Sequence, residues 1–522
     1  MATAPSGGGP RVQPDLPLLV DRTAAESLTA QLTGQLRTAI KEGRLTSGER
    51  LSSSRALAAV LGVSRTVVMD AYAQLYAEGW LEGRHGSGTY VADVSPEAPG
   101  TAPLATGDEP TVPGVRRNRG ASATATGYGG TSMSSGVLRL RTSGDDAEPI
   151  GHGVAGTSGG CRGNGEAAPE GATDLRPGVP WAGGLDTPAW RRAWRTAASI
   201  APGGRSDPWG LDGLREALCE HMRRSRGVAC QAEQVVVTRG TTNALDMLAA
   251  TVLRPGDRVG VEEPGYLRAR SVLAARGAEV VPCPVDEHGL VVDGLPDGLR
   301  LVYTTPSHQY PLGGVLPVPR RQALLAWARR TGALIAEDDY DGEFRYDVAP
   351  LPALYGMDPR VVVYLGTMSK RLAADIGVGW LAARPDLAEA VAARRLDLGD
   401  RTAVVPQEAV RLLLERGDLD RHIRRVRAEY ARRRAMVVEV FAGLPLRGDT
   451  AGLHLVVELP AEVVARVVAR AGQAGVLLDT LERHYGGRPS VTGLVIGYSA
   501  APTARLRAGC LLVRGLIDDL TA

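Results

Sequence analysis

VVVYLGTMSKRLA, residues 361–373, is a short run of apolar side chains that breaks into a turn of glycine and hydroxyl residues and reaches Lys370. A bare apolar run of this length predicts a buried strand in a mainly parallel sheet. The same texture recurs in QVVVT (234–238), RVGVEE (258–263), LRLVYTT (299–305) and ALIAEDD (333–339), with helical patterns between them. Strands alternating with helices over roughly 350 residues predict an α/β domain at 173–522. Of the 60 Lys+Arg residues only Lys41 and Lys370 are lysines. An arginine serves an ion pair or a phosphate contact at least as well. Only a lysine can lose its proton and bond the carbonyl carbon of an aldehyde. A lysine retained just after a strand therefore points to covalent chemistry, the alternative being that two lysines must fall somewhere.

Other stretches supply matching chemistry. In LIAEDDYDGEFRY (334–346) an acid at a strand end can pair with a protonated ring nitrogen, and a tyrosine can meet a ring hydroxyl. VTRGTTNALDML (237–248) is a strand, a glycine turn and a helix start, offering Gly240, Thr241 and Thr242 to an anion. Thr367 and Ser369 add hydroxyls beside Lys370, and Tyr266 in VEEPGYLRAR (261–270) can stack on a flat ring. Each has an ordinary alternative: acids and hydroxyls cap helices, and tyrosines pack. Together they describe one ligand, an aromatic aldehyde with a phosphate, a ring nitrogen and a phenolic oxygen, which is pyridoxal 5′-phosphate.

The amino-terminal part reads differently. Leu28, Leu32, Leu36 and Ile40 recur every fourth residue, an amphipathic helix ending at Gly43. LSSSRALAAVLGVSRTVVMDAYAQLYAEGW (51–80) reads as two helices around a turn at Gly62, capped by Ser53 or Ser54 and by Ser64. Leu57, Val60 and Leu61 are expected to pack against Val68, Tyr72 and Leu75. LEGRHGSGTYV (81–91) reads as a hairpin, which completes a winged helix–turn–helix over residues 17–92. The second helix of such a pair enters the DNA major groove, so Ser64, Arg65, Thr66 and Val67 are candidate base readers. Arg55 is placed to reach a phosphate, and Arg84, His85 and Gly86 form the wing tip. Residues 1–94 hold 9 basic and 9 acidic side chains, so net charge does not argue for DNA; the segregation of Arg55, Arg65, Arg84 and His85 does.

Residues 97–172 hold 17 of the 65 glycines and a single aromatic residue, Tyr128. A disordered tail at 1–16 and a flexible Gly/Ala/Ser/Pro-rich linker at 93–172 are expected. The net charge of +2 excludes a polybasic coat or an acidic tail. No apolar run spans a bilayer and no signal peptide opens the chain, so a cytoplasmic protein is expected. The five cysteines (Cys161, Cys219, Cys230, Cys283, Cys510) form no CxxC pair, and no metal site is expected.

Residues 28–91 resemble the winged-helix domain of the GntR family of bacterial repressors. Operator contacts in that family come from positions that here are Arg55, Ser64, Arg65, Thr66, Val67, His85 and Gly86; Ser52 stands where the family usually has proline. The succession GTT, EEPGY, TPSHQYPLG, EDDYDGEFRY and GTMSK resembles fold-type I aminotransferases, and both parts together resemble the MocR-type regulators. The resemblance implies that Lys370 is the Schiff-base lysine, Asp338 the partner of the ring nitrogen, Tyr340 that of the ring hydroxyl and Tyr266 the stacking residue. It gives Gly240, Thr241, Thr367 and Ser369 as the phosphate cradle and places His308 and Gln309 in the loop bordering the ring. It also implies a homodimer.

Three departures stand out. Gly377 replaces the arginine that clamps the phosphate, Arg205 and Ser206 stand where a tyrosine reaching the neighbouring subunit is common, and Val495 replaces the arginine that holds a substrate carboxylate. Arg239, Arg205, Arg483 and Arg488 are the candidate substitutes. The expected function is a DNA-binding transcriptional regulator that senses a small amine, an amino acid or pyridoxal 5′-phosphate itself, with at most a slow transamination half-reaction; the alternative is an active aminotransferase carrying an accessory DNA-binding domain.

Overall fold

The computed structural model describes residues 18–94, except 25 and 85–87, and residues 169–521, except 170, 202 and 204–206. The expected tail, nearly all of the expected linker, and His85, Gly86, Arg205 and Ser206 lie outside the described residues.

The amino-terminal module consists of α1 (Leu28–Lys41), α2 (Ser54–Leu61), α3 (Arg65–Glu78) and the hairpin β1 (Leu81–Arg84) and β2 (Gly88–Val91). Ser53 is the cap of α2, its hydroxyl accepting from the amide of Ala56 at 3.2 Å, and Ser64 caps α3. Gly62 makes the turn at φ 64°, a left-handed conformation that glycine adopts without steric cost. Leu32, Leu36, Leu57, Val68, Tyr72 and Leu75 are buried together. Val60, expected in that contact, is instead 82 % exposed, because α2 is only 8 residues long and Leu57 and Ala58 already fill the face it presents inward. Tyr72 donates its hydroxyl to the carbonyl of Ser52 at 2.8 Å, so the chain entering α2 is tied down without the family's proline.

The large domain is built on an eight-stranded sheet. Its elements include α4 (Asp212–Arg226), β3 (Val235–Thr238), α5 (Thr241–Val252), β4 (Arg258–Glu263), α6 (Leu267–Ala275), β5 (Glu279–Asp286), β6 (Gly289–Leu290), β7 (Leu299–Thr304), α7 (Val318–Thr331), β8 (Leu334–Asp338), β9 (Val362–Thr367) and β10 (Gly379–Ala382). The strand order is β3-β10-β9-β8-β7-β4-β5-β6. The run from β9 to β5 is parallel, and β10 is antiparallel to both its neighbours. Two apolar clusters cover the faces of this sheet, which is why its strands lack the polar alternation of a half-exposed sheet. A second, four-stranded sheet holds β11 (Leu446–Arg447), β12 (His454–Glu458), β13 (Asp479–Thr480) and β14 (Gly493–Gly497) in the order β11-β12-β14-β13.

The two parts meet at the start of α7. Val318 is 4 % exposed and belongs to the apolar cluster of the amino-terminal module. A Cβ added to Gly79 would stand 2.9 Å from Pro317 Cβ and from the Val318 amide, too close for any side chain. Arg321, one turn into α7, is buried and feels the charge of Glu78.

Val318→Asp is expected to open this seat. Losing the buried valine and burying an unpaired carboxylate costs about 2–4 kcal/mol. Amide exchange at Leu75–Trp80 rises about 30-fold or more, while β8 and β9 exchange as in the parent; equal exchange throughout would show that the seat contributes no stability.

Candidate functional site

The carboxyl ends of the parallel strands, where ligands of open α/β sheets bind, carry most of the candidate residues. Asp338 ends β8, Thr367 ends β9, Thr241 begins α5 just past β3, and Tyr266 lies just past β4.

Glu337, Asp338 and Asp339 are consecutive and all buried, yet they are partnered differently. Glu337 accepts from the amides of Leu354 and Tyr355 at 2.7 and 2.8 Å. Asp339 is held by the guanidinium of Arg226 at 2.6 and 2.9 Å. Asp338 accepts from the Tyr303 hydroxyl at 2.7 Å through Oδ2, and its buried Oδ1 has no hydrogen-bond partner. Burial pushes the Asp338 carboxyl up to about 7, against the pull of Tyr303, Thr241 and Lys370. A carboxylate poised this way suits a cationic N–H donor.

Lys370 donates to the carbonyl of Gly178, and desolvation holds its amine below the ordinary lysine range while Asp341 and Asp338 oppose that fall. Next to it the Thr367 hydroxyl donates to Ser369 Oγ at 3.0 Å. A Cβ on Gly240 (φ +113°) would stand 3.5 Å from Thr367 Oγ1 and 4.0 Å from Ser369 Oγ, so glycine leaves a concavity between them. The first amides of α5 have no helical acceptor and face an anion favourably. Tyr266 reaches Thr242 Oγ1 at 3.5 Å.

Tyr340 is positioned by His308, whose Nδ1 lies 2.9 Å from both the Tyr340 hydroxyl and Asp341 Oδ2. Gln309 is spent on its own loop: its amide nitrogen donates to Glu262, to the Pro264 carbonyl and to the Tyr310 carbonyl, and its oxygen accepts from Leu312. It braces the loop and makes no hydrogen bond to the other candidate residues. Tyr310 was missed by the sequence reasoning. Its ring lies 6.0 Å edge-on from both Tyr266 and Tyr340 and 5.1 Å from His454 and His484, which makes it the centre of the aromatic wall. Its place between Gln309 and Pro311 carried no chemical signal.

The departures have structural counterparts. Gly377 is left-handed at φ +61° and brings no cation to the cradle. Arg371 is buried against Glu343 at 2.6 Å, and Arg239 is tied to Asp400. Val495 is fully buried, paired in register with Val456 and with Asp479. Arg483 is bound to buried Asp479 at 2.8 Å, while Arg488 is exposed. Arg268, which the sequence reasoning passed over, is exposed on the first turn of α6, makes no ion pair among the described residues, and adds its charge to the field at Lys370 and Tyr266. Among the described residues no three His, Cys, Asp or Glu side chains are grouped to hold a metal, and no helix is long and apolar enough to cross a membrane.

In the amino-terminal module Ser64, Arg65 and Thr66 are exposed at the start of α3, Val67 is half-buried, and Arg55 is exposed on α2. Arg65 Nε donates to Ser54 Oγ at 3.3 Å, a contact that joins the starts of α3 and α2. Arg84 ends β1.

Comparison with known proteins agrees with both halves. Residues 28–91 match the bacterial regulatory proteins of the gntR family, and residues 182–483 match aminotransferase class I and II. The chain is 34% identical to the HTH-type pyridoxine biosynthesis transcriptional regulator PdxR of Corynebacterium glutamicum, over 94% of this chain and 96% of that protein. This chain is a MocR-type transcriptional regulator. The regulator is also 32% identical to the probable rhizopine catabolism regulatory protein MocR of Rhizobium meliloti, over 94% of each. Among solved structures it resembles the multiple substrate aminotransferase of Thermococcus profundus, with TM-score 0.62 and 26% identity over 68% of this chain and 93% of that one. The MocR-type regulator is a DNA-binding protein whose aminotransferase-like domain takes pyridoxal 5′-phosphate. The unpartnered Asp338 oxygen, the Lys370 amine and the concavity at Gly240 fit that cofactor.

Asp338→Asn tests the buried carboxyl. With a native pKa raised from 3.8 to about 7, the native state keeps a proton that the unfolded chain has lost, so this group subtracts stability as pH rises across that window. In cofactor-free protein the variant's melting temperature is expected to exceed the parent's at pH 8 and to match it at pH 4. A pH-independent difference would contradict the assignment.

Proposed function

We propose that the regulator reads a small amine, an amino acid or pyridoxal 5′-phosphate itself at the Lys370 site and converts that occupancy into a change in DNA affinity. The observation that carries this reading is a site with its ring contacts assembled but Val495 buried where a substrate carboxylate needs a cation, in a chain that also bears exposed Arg55 and Arg65. Turnover requires that carboxylate to be held so that the breaking bond stands over the ring. Lys370 and Asp338 support at most a slow half-reaction, so an efficient aminotransferase is the weaker reading.

When bound, pyridoxal 5′-phosphate supplies an aldehyde carbon and an electron-withdrawing ring. Lys370 provides the amine, whose lowered proton affinity favours the nucleophilic form. Asp338 holds a proton at the ring nitrogen, Tyr340 meets the ring oxygen, Tyr266 stacks, and Gly240, Thr241, Thr242, Thr367 and Ser369 receive the phosphate. His308 acts through Tyr340, and Gln309 through the shape of its loop. Arg268 is the cation we assign to the role left open by Gly377. Ser64, Arg65, Thr66 and Val67 read bases, and Arg55, Arg84, His85 and Gly86 hold the backbone. The working unit is a homodimer with two winged helices, each joined to its effector domain (173–522) by the linker at 93–172.

A route between the modules supports the reading. The site loop runs from His308 to Leu316 and then directly into Pro317 and Val318, the seat of the amino-terminal module. Arg321 braces it, donating to the carbonyls of Leu316 and Pro352 at 2.7 Å and of Pro306 at 3.3 Å. A ligand that favours one arrangement of this loop shifts DNA binding by its differential affinity for the two states.

Two measurements test the reading. Borohydride treatment of cofactor-loaded protein should leave the pyridoxyl group on a Lys370 peptide, with Lys370→Ala and Lys370→Arg unlabelled; labelling at Lys41 or none at all would refute the site. Operator titrations should show Arg65→Ala costing about 1–3 kcal/mol at the preferred sequence, and Arg55→Ala weakening all sequences alike with a salt slope lowered by about one. Parent-like binding by both variants would refute the DNA-contact assignment.

A further inference from the structure

Outside the cofactor site, two of the cysteines come together. Cys219 lies in α4, and Cys230 lies four residues past its carboxyl end. The left-handed Gly227 at φ 66° turns the chain back along the helix, and the two sulfurs stand 3.5 Å apart. Both side chains are half-buried, so a small solute can reach them, whereas Cys283 and Cys510 are buried and distant in sequence. The hydrogen bond from Cys230 favours the Cys219 thiolate against burial; of the nearby charges Glu233 opposes it, Arg215, one turn earlier on α4, favours it, and Glu216 opposes it. Two thiols packed only as small apolar groups need neither surface access nor contact with each other.

We propose that Cys219 and Cys230 form a redox-active dithiol, oxidised by hydroperoxides to an intramolecular disulfide. Cys219 is fixed on α4 and Cys230 lies on the loop that follows it, so Cys219 is the attacking sulfur and Cys230 the resolving one that swings in. The Cys219 thiolate attacks one peroxide oxygen, the O–O bond breaks, and the leaving oxygen takes up a proton as water, giving a sulfenic acid. The Cys230 sulfur then attacks that sulfenic sulfur; its thiol proton leaves with the departing hydroxyl as a second water. The two sulfurs together lose two electrons, and one hydrogen peroxide is reduced to two waters. From 3.5 Å the sulfurs need to close by about 1.5 Å to reach bonding distance, within the reach of side-chain rotation and a small shift of the loop after α4. The cross-link would bracket Arg226, the counter-ion of Asp339 beside the cofactor site.

Trypsin separates the two cysteines, because Arg223, Arg224 and Arg226 lie between them. Full-length protein is treated with a small excess of hydrogen peroxide, free thiols are alkylated, and the digest is analysed without reduction. The expected product is peptide 216–223 joined to peptide 227–239 and about 2 Da lighter than the two thiol forms combined, lost again on treatment with dithiothreitol. Cys230→Ser should stall Cys219 as a sulfenic acid that dimedone traps. Parent protein in which both peptides stay separate, alkylated or carrying sulfinic acid, overturns the proposal, as does a link to Cys161 or between chains.

Discussion

The burial of a single under-partnered carboxylate organises the large domain. Asp338 sits at the end of a central parallel strand with its Oδ2 held by the Tyr303 hydroxyl and its Oδ1 unpartnered, while its neighbours are satisfied by backbone amides and by Arg226. Ionising a buried carboxyl with so little compensation is costly, and burial accordingly pushes this one up to about 7. On the proposed reading, a cationic ring nitrogen at Asp338 would relieve that cost. Arg226 must come in from α4 to neutralise Asp339, and Tyr364 adds a hydroxyl to the same carboxylate. The helix in front of the sheet is therefore tied to the strand that carries the site.

On the proposed reading, that arrangement separates cofactor binding from turnover. The ring and amine contacts come from the ends of parallel strands, but the substrate carboxylate of an aminotransferase is held from the smaller sheet. There Val495 lies buried opposite Val456 and beside Asp479, whose own charge is taken up by Arg483 and His484. An arginine introduced at 495 would meet an acid that is already paired. Val495 is accommodated by the surrounding packing, which suits the proposed use of the domain for recognition.

The seat at Val318 joins the two modules by packing. A valine in the core of one module and at the first turn of a helix in the other couples them by packing, which tolerates little continuous deformation. The loop that leads into it holds Tyr310, at the centre of the aromatic wall, so a change in what fills the site and a change in how the winged helix is held share the same dozen residues.

Local pattern sufficed for much of this protein. Apolar runs bounded by turns identified the strands, four-residue spacing identified α1, and serine and glycine marked the caps of α2 and α3, because these signals arise from interactions within a few residues of each other. The rarity of lysine singled out Lys370 before any fold was known. The tertiary structure decided what depends on partners distant in sequence. In the run Glu337-Asp338-Asp339, nothing local says which acid keeps an unpartnered oxygen; Arg226, more than a hundred residues earlier, and the amides of Leu354 and Tyr355 settle it. The same holds for Val60, left outside by a short helix, for Gln309, drawn into its own loop by Glu262, and for Tyr310, which acquires its role only when four other rings close around it. Periodicity records which face of an element is apolar, but charge compensation and ring packing are made between elements, and only the folded chain brings those partners together.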